Sequence, residues 1–243
     1  MPRVWDCNRN ATILELNVIQ KITVFALPVL FAITLHEAAH GYAALKFGDR
    51  TAQLLGRISL NPLRHIDLVG TIIVPLAILL ITKLSGGAGI LFGWAKPVPV
   101  DFNNLNRPKQ DMLWVAAAGP GANLVMALIW AGMIKLALAM PGSPIAMPLA
   151  LMGAAGIFIN AVLMALNLIP LPPLDGFGVM QGVVATQRGR WARDLGNTLD
   201  RLAPYGPLLL MALLMMGWIT QWSPLSLILG PPRDAIVNLL LGI

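Results

Sequence analysis

The chain has 243 residues, of which 57% are hydrophobic and only 12% are charged. A soluble domain usually carries about 25% charged residues, so this composition excludes an ordinary soluble domain and predicts an integral membrane protein. The net charge of +6 comes from basic residues that lie mostly between apolar segments. They are not interleaved with aromatic residues, so a nucleic-acid surface is not expected. The single cysteine, Cys7, excludes an internal disulfide and a CxxC site.

The first predicted membrane span runs over residues 22–47 and carries His36-Glu37-Ala38-Ala39-His40 in its second half. Ionisable groups are unfavourable in hydrocarbon and usually face a bundle interior or a wet cavity. Positions i and i+4 lie on one face of a helix, so His36 and His40 can bind one zinc ion. Glu37 points to the edge of that face, where it can act as a general base. The segment therefore predicts metal-assisted hydrolysis within a bilayer.

Two extended segments and a hairpin are predicted after the first span. Residues 51–60 alternate partly between apolar and polar, and residues 94–100 contain prolines that disfavour a helix interior. Both segments are therefore predicted to be extended. Between them, residues 68–94 form apolar runs interrupted by glycines and are predicted to enter the membrane and return. Irregular backbone at that depth is tolerated only where protein or water covers it.

The second half of the chain predicts further membrane helices. Three spans are predicted, over residues 112–140, 148–168 and 204–222. Residues 187–201 carry four arginines and are predicted to form a polar loop. The tail over 225–243 is apolar but interrupted at Gly230-Pro231-Pro232, so it is predicted as a broken last span or as a helix in the membrane interface.

These elements predict an all-α polytopic membrane protein with about five to six membrane segments in addition to the re-entrant hairpin. The whole chain, residues 1–243, is predicted to be one membrane-embedded domain. Its catalytic core is expected over residues 22–178, and its C-terminal helices over 202–243.

The basic residues predict the orientation of the chain in the membrane. If the hairpin over 68–94 turns back, His40 and Asp175 finish on the same side. That side then collects eleven of the 17 Lys and Arg residues, namely Lys46, Arg50, Arg57, Arg64, Lys96, Arg107, Lys109, Arg188, Arg190, Arg193 and Arg201. Because basic loops stay in the cytoplasm, the site is predicted on the cytoplasmic side of a bacterial inner membrane, with the N-terminus outside.

A catalytic zinc ion needs a third protein ligand. Asp175 is the best candidate, because it follows a proline-rich break at the end of an apolar span. The alternative for Asp175 is an ordinary cap or turn aspartate. His65 is the other candidate near the site. It could be a transient ligand, an oxyanion donor or a pH-sensitive group, or it could cap a helix that begins at Asp67.

Three motifs occur in order on successive predicted spans: HEAAHG at 36–41, AGPGAN at 118–123 and NLIPLPPLDG at 167–176. In this combination the chain resembles the site-2 protease family of intramembrane zinc metalloproteases, over about residues 22–178. The segments GWAKPVPVDFNNL and NPLRHID are similar to those of its compact prokaryotic members. We therefore expect neither a PDZ domain between the spans nor a CBS domain at the C-terminus, both of which other subgroups carry.

The resemblance implies that His36, His40 and Asp175 bind one catalytic Zn²⁺ and that Glu37 is the base. The substrates it implies are membrane-spanning segments of other proteins in the lipid bilayer. It further implies that Asn167 contacts the substrate or the oxyanion, although a helix C-terminal asparagine is the alternative. Asn123 is a weaker candidate for the same role, since interhelical hydrogen bonding by the AGPGAN motif is the alternative.

One function from another class remains open from the residues alone. A zinc-binding membrane protein, either a transporter or an inactive homologue, could also carry two histidines on a membrane helix. Transporters usually place ligands along a path through several helices, whereas these ligands cluster toward one side. Glu37 would also have no role in transport.

Overall fold

The computed structural model describes residues 17–74, 76–78, 80, 93, 95–220 and 224–241. Within these residues the chain is predominantly helical and contains no strand. The helices are α1 (Val18–Lys46), α2 (Thr51–Leu54), α3 (Pro108–Leu138), α4 (Ala146–Asn167), α5 (Asp175–Thr186), α6 (Arg190–Leu202), α7 (Gly206–Thr220) and α8 (Pro224–Leu241). Short 3₁₀ turns occur at Pro62–Arg64, Phe102–Asn104 and Ala203–Tyr205, and a π-helical segment at Leu68–Ile73.

Three of the described helices are long and apolar enough to cross a membrane: Ile19–Lys46, Pro108–Leu138 and Ala146–Asn167. At 1.5 Å per residue, even the shortest of them exceeds the roughly 30 Å of a bilayer core. Asn17 forms a capping box at the start of helix α1. Its side chain accepts the backbone N–H of Gln20, and the Gln20 side chain accepts the backbone N–H of Asn17. The prediction of an all-helical protein is therefore confirmed for the described residues, with three candidate membrane-spanning helices.

Helix α3 is the centre of the bundle and packs against α1, α4 and α5. Trp130 and Ile134 of α3 pack with Ile157 of α4 in a buried apolar cluster. Glycines allow this close approach, because a Cβ at Gly156 would lie 2.2 Å from the Trp130 ring and one at Gly153 would lie 2.5 Å from Ile134. Small residues play this part widely between membrane helices.

The long helices alternate in direction, which brings the functional motifs to one end of the bundle. The backbone N–H of Asn106, just before α3, donates to the carbonyl of Phe47, just after α1, at 2.8 Å. A short connection over 139–145 then joins α3 to α4, so α4 ends near the end of α1. His40 and the chain that follows Asn167 consequently share one end of the bundle.

A buried carboxylate ties the loops together at this end. Asp49 is only 1% exposed and accepts the backbone N–H groups of Thr51 at 2.9 Å and Asp101 at 2.8 Å. The side chains of Thr51 and Asn104 donate to it as well. Burial by itself would raise the pKa of Asp49, but these hydrogen bonds hold it below its usual value. The charged form of Asp49 therefore anchors the loop before α3.

The predicted extended segment over 51–60 is wrong in its first half, where Thr51–Leu54 forms one helical turn. The Asp49 carboxylate accepts the N–H of Thr51, the first residue of this turn, and the Leu54 N–H donates to the Arg50 carbonyl at 2.9 Å. These local hydrogen bonds outweigh a weak alternation of apolar residues. Residues 57–59 and 95–100 are irregular and form no strand within the described part of the chain.

Two other predictions need correction. The prediction of a polar loop over 187–201 is wrong, because Arg190–Leu202 is helical and buries Ala192 and Leu199 on one side. The predicted break in the tail is also wrong, because α8 continues through Pro231 and Pro232. Of the predicted hairpin over 68–94, Leu68–Ile73 and residues 74, 76–78 and 80 are helical, and the stretch over 81–92 lies outside the described residues.

Candidate metal centre

Three side chains from two helices converge in the bundle. His36 and His40 project from α1, and Asp175 is the first residue of α5. The Nε2 atoms of the two histidines are 3.2 Å apart. Asp175 Oδ2 lies 3.2 Å from His36 Nε2, and its Oδ1 lies 3.3 Å from His40 Nε2. The structure therefore brings together the three residues that the sequence proposed as ligands.

Hydrogen bonds on the far side of each imidazole fix its tautomer. His36 Nδ1 donates to Asn123 Oδ1 at 2.7 Å, and His40 Nδ1 donates to the Val115 carbonyl at 2.8 Å. A neutral imidazole that is protonated on Nδ1 carries a lone pair on Nε2. Both Nε2 lone pairs thus face the Asp175 carboxylate. Histidines that bind a metal usually donate a hydrogen bond from their other ring nitrogen, as His36 and His40 do here.

The three side chains lie close enough together to hold one zinc ion. Zinc binds histidine nitrogen and carboxylate oxygen at about 2.0–2.2 Å. The two Nε2 atoms are 3.2 Å apart, each lies 3.2 or 3.3 Å from a different oxygen of Asp175, and one ligand atom from each residue falls within 4.8 Å of the other two. Asp175 Oδ2 is also buried without a hydrogen-bond partner among the described residues. The two Nε2 atoms and this unpaired carboxylate oxygen converge on one point and can all accept, so they are suited to bind a cation.

Two glycines permit close packing at and beside this cluster. A Cβ at Gly119 on α3 would lie 2.3 Å from His40 Nε2 and 2.6 Å from His36 Cε1. A Cβ at Gly176, beside Asp175, would lie 2.4 Å from the Leu168 carbonyl oxygen. Gly119 therefore permits close packing of α3 against the two histidines, and Gly176 permits close packing of the start of α5 against the backbone at the end of α4.

Glu37 lies next to the ligands, at the edge of the same helix face. Its Oε2 accepts the backbone N–H of Val98 at 2.8 Å. Glu37, both histidines and Asp175 all line one cavity of about 460 Å³. Pro97 and Val98 form part of the same wall. The carboxylate thus faces a space large enough for a short length of peptide.

The remaining candidates occupy different positions. Asn167 lines the cavity, and one of its amide hydrogens donates to the Leu163 carbonyl at 3.0 Å. Asn123 is buried behind His36 instead, so its observed contacts are interhelical. His65 is not among the residues that line the cavity. It is buried, and its Nε2 donates to the Ser59 carbonyl at 2.8 Å.

The alternative reading of His65 as a helix cap is wrong, because Asp67 fills that position. The Asp67 carboxylate accepts the Gly70 N–H at 2.7 Å at the start of the π-helical segment. His65 contributes its backbone instead, since its carbonyl accepts the Lys96 N–H at 2.9 Å. This contact holds the loop over 62–65 against residues 95–98.

The structure adds two residues that sequence reasoning missed. Asn160 hydrogen-bonds Asn123 from α4, and Arg57 binds the carbonyls of Lys96 and Pro97 beside the cavity. A signal existed for Asn160, because a polar residue within an apolar span is uncommon and usually has a partner. No comparable signal marks Arg57, which lies in a stretch of ordinary loop composition.

Comparisons with known proteins agree in naming a metalloprotease. The chain is 32% identical over 216 residues to "Putative zinc metalloprotease YwhC" of Bacillus subtilis, covering 87% of this chain and 88% of that protein. It is 27% identical over 193 residues to "Putative zinc metalloprotease Rip2" of Mycolicibacterium smegmatis, covering 79% and 67%. A Mycobacterium tuberculosis Rip2 is 29% identical over 152 residues, covering 63% and 54%. No family model matches the chain, and no solved structure matches it significantly.

Proposed function

Because the chain belongs to the site-2 protease family of intramembrane zinc metalloproteases, we propose that it hydrolyses peptide bonds within the membrane-spanning segments of other proteins. The observation that carries this proposal is the convergence of His36, His40 and Asp175 beside Glu37 in one cavity. A third ligand from a distant part of the chain turns two helical histidines into a zinc site.

His36, His40 and Asp175 would hold one zinc ion. When bound, zinc supplies a Lewis acid that polarises the scissile carbonyl and activates water for attack at neutral pH. Glu37 takes the proton of the attacking water and passes it to the leaving amide nitrogen. The hydrogen bond from the Val98 N–H keeps Glu37 turned toward the cavity while it does so.

We assign substrate binding to the side of the cavity that is formed by irregular backbone. A helical substrate hides its amides in internal hydrogen bonds, so the segment to be cut must first unwind. We assign capture of the unwound segment to residues 97–102, whose Pro97, Val98 and Phe102 line the cavity. Asn167 retains a second amide hydrogen, which we assign to the substrate carbonyl or to the oxyanion.

The membrane topology is part of the proposal. We propose five to six membrane segments, which include the three long helices and also α7 and α8, with 15 and 18 residues. The re-entrant hairpin over 68–94 is proposed in addition to these segments. We further propose that the metal centre faces the cytoplasmic side of a bacterial inner membrane. The collection of basic residues in the loops at this end of the bundle supports that orientation.

Replacement of Glu37 tests the proposed reaction. Glu37→Gln removes the base but leaves the three ligands, so cleavage should fall by about 100- to 10,000-fold with zinc retained. Asp175→Asn, which removes a ligand charge, should lose zinc and cleavage together. The measurements are zinc content of the purified protein and membrane proteomics of wild-type against Glu37→Gln cells. Single-span proteins stabilised by the variant are the expected substrates.

Two outcomes would contradict the proposed function. Full turnover of a substrate by Glu37→Gln would remove the assigned mechanism. Zinc bound by the wild-type chain at the three residues, with no stabilised protein in the Glu37→Gln membranes, would favour a zinc-binding protein without protease activity.

A further inference from the structure

A buried chain of hydrogen bonds crosses three helices to reach the metal centre. On α4, Asn160 Nδ2 donates to the Gly156 carbonyl at 2.8 Å. On α3, Asn123 Nδ2 donates to Asn160 Oδ1 at 3.0 Å. On α1, His36 Nδ1 donates to Asn123 Oδ1 at 2.7 Å. Asn160 and Asn123 are 1% and 0% exposed, so bulk water does not compete for these bonds.

Backbone carbonyls set the direction of this chain, because they can only accept hydrogen bonds. The Gly156 carbonyl requires the amide nitrogen of Asn160, so the Asn160 oxygen faces Asn123. A second carbonyl, that of Ala32, accepts from Asn123 Nδ2 at 3.3 Å. Both contacts turn Asn123 Oδ1 toward His36, whose Nδ1 must therefore carry the proton. The two asparagines therefore determine which nitrogen of the His36 ring carries the proton, in addition to packing the helices together.

We propose that Asn160 is a positioning residue for His36 and acts through Asn123. It selects the imidazole that is protonated on Nδ1, which leaves the Nε2 lone pair facing His40 and Asp175. This inference rests on the proposed function, since the lone pair matters only if these three residues bind zinc. It assigns a role in metal binding to α4, a helix that carries none of the three ligands.

A purely structural role for Asn160 makes a different prediction. Asparagines often hydrogen-bond between membrane helices, and their loss then lowers stability without a specific effect on a ligand. Partners of a metal-binding histidine instead change metal affinity, typically by about 10- to 100-fold. Zinc affinity and thermal stability, measured on the same variants, therefore separate the two roles.

Three variants of the full chain provide the test. Asn160→Ser keeps a hydroxyl that can bind the Gly156 carbonyl, as serine does within helices, but its side chain is too short to hold Asn123. Asn160→Asp keeps an oxygen that accepts from Asn123 in either protonation state. Ile157→Ala is the matched control, because Ile157 is fully buried on the same helix but belongs to the apolar cluster.

The primary measurement is the zinc dissociation constant of purified protein, by competition with a chelator. We expect Asn160→Ser to raise it about 10- to 100-fold and Asn160→Asp to leave it within about threefold of wild type. Ile157→Ala should lower the melting temperature while leaving zinc affinity unchanged. Nitrogen NMR of the metal-free protein, which has only 3 histidines, should show His36 moving toward the Nε2-protonated form in Asn160→Ser alone.

Wild-type zinc affinity in a folded Asn160→Ser protein would overturn the proposal, and so would an equal loss of affinity in Ile157→Ala. Should Asn160→Ser fail to fold, Asn160→Leu also removes the hydrogen bond to Asn123, together with that to the Gly156 carbonyl, and is judged by the same criteria. The outcome stays distinct from that of the protease proposal. Zinc affinity reports on Asn160, whereas cleavage by Glu37→Gln reports on the reaction.

Discussion

At the scale of single residues, the two glycines of the AGPGAN motif have different surroundings. A Cβ at Gly119 would overlap both imidazoles of the metal centre, whereas a Cβ at Gly121 would meet no atom within 4 Å. Both glycines lie within α3, where alanine is the better helix former by about 1 kcal/mol. The two positions therefore form a matched pair for a test of packing against the ligands.

We expect Gly119→Ala to displace His36 and His40 and to weaken zinc binding by at least about tenfold, through overpacking worth about 1–3 kcal/mol. Gly121→Ala should bind zinc as wild type does and be neutral or slightly stabilised. Zinc competition and melting temperature, measured on both purified variants, check this pair of outcomes. Equal zinc affinity in the two variants would contradict the tight packing around the imidazoles.

Most of the metal centre could be predicted from residue types and spacing. Two histidines four positions apart share one helix face, and a charged motif inside an apolar span has few other uses. The role of Asn123 could not be predicted in this way. Its hydrogen bond to His36 joins positions 87 residues apart, and that pairing depends on how α1 and α3 pack.

At the scale of elements, Arg57 fastens the irregular segment over 95–98 to its neighbouring loop. Its guanidinium donates to the Arg64 carbonyl at 2.6 Å, the Lys96 carbonyl at 3.1 Å and the Pro97 carbonyl at 3.3 Å. The next residue, Val98, donates its N–H to Glu37. The hydrogen bonds of one side chain thus hold a segment that has no strand partner, one residue before the contact between Val98 and Glu37.

We expect Arg57→Ala to lower kcat about tenfold, equivalent to about 1.4 kcal/mol, because Val98 is then held less firmly against Glu37. Zinc content should be unchanged, since Arg57 contacts no ligand. Arg57→Lys should recover little, because an ammonium cannot bind several carbonyls in a planar fork. Cleavage kinetics of a reconstituted substrate provide the measurement.

The matched control for Arg57 is Arg50→Ala, which removes the same charge at an exposed position in the loop after α1. Arg50→Ala should cleave as wild type does. A similar loss of kcat in both variants would point to net charge in these loops rather than to the hydrogen bonds of Arg57.

At the scale of the whole molecule, one contact constrains the path of the chain. The bond between Asn106 N–H and the Phe47 carbonyl holds the end of α1 beside the start of α3. The chain between these two residues therefore begins and ends at one end of the bundle. The connection over 139–145 lies at the opposite end of α3, a helix of 31 residues.

Cysteine labelling tests this arrangement directly. With Cys7 replaced by serine, single cysteines at the exposed positions Asn103, Pro144 and Arg188 should react with a membrane-impermeant maleimide from predictable sides. We expect Asn103→Cys and Arg188→Cys to label only in inside-out vesicles, and Pro144→Cys only in right-side-out spheroplasts. Labelling of Asn103→Cys and Pro144→Cys from the same side would contradict a crossing by α3.

Local competition explains where the predicted elements differ from the structure. Thr51–Leu54 forms a helical turn at whose start the Asp49 carboxylate accepts the Thr51 N–H. Arg190–Leu202 forms a helix because its apolar residues recur on one side. The alternation of apolar residues over 51–60 and the arginine content of 187–201 predict secondary structure less well, because neither shows which groups form hydrogen bonds or pack together. The long spans were predictable because about 20 apolar residues have few stable alternatives to a membrane helix.

Composition and local spacing were sufficient for the class of protein, the three long helices and the facing pair His36 and His40. These depend on helix periodicity and transfer into lipid, which act over a few turns of the chain. Three other features depend on contacts between residues that are remote in the chain. Asp175 meets the two histidines, Asn123 and Asn160 set the tautomer of His36, and the Val98 N–H binds Glu37. Hydrogen bonds are directional and short, so only the packed bundle specifies which remote groups meet.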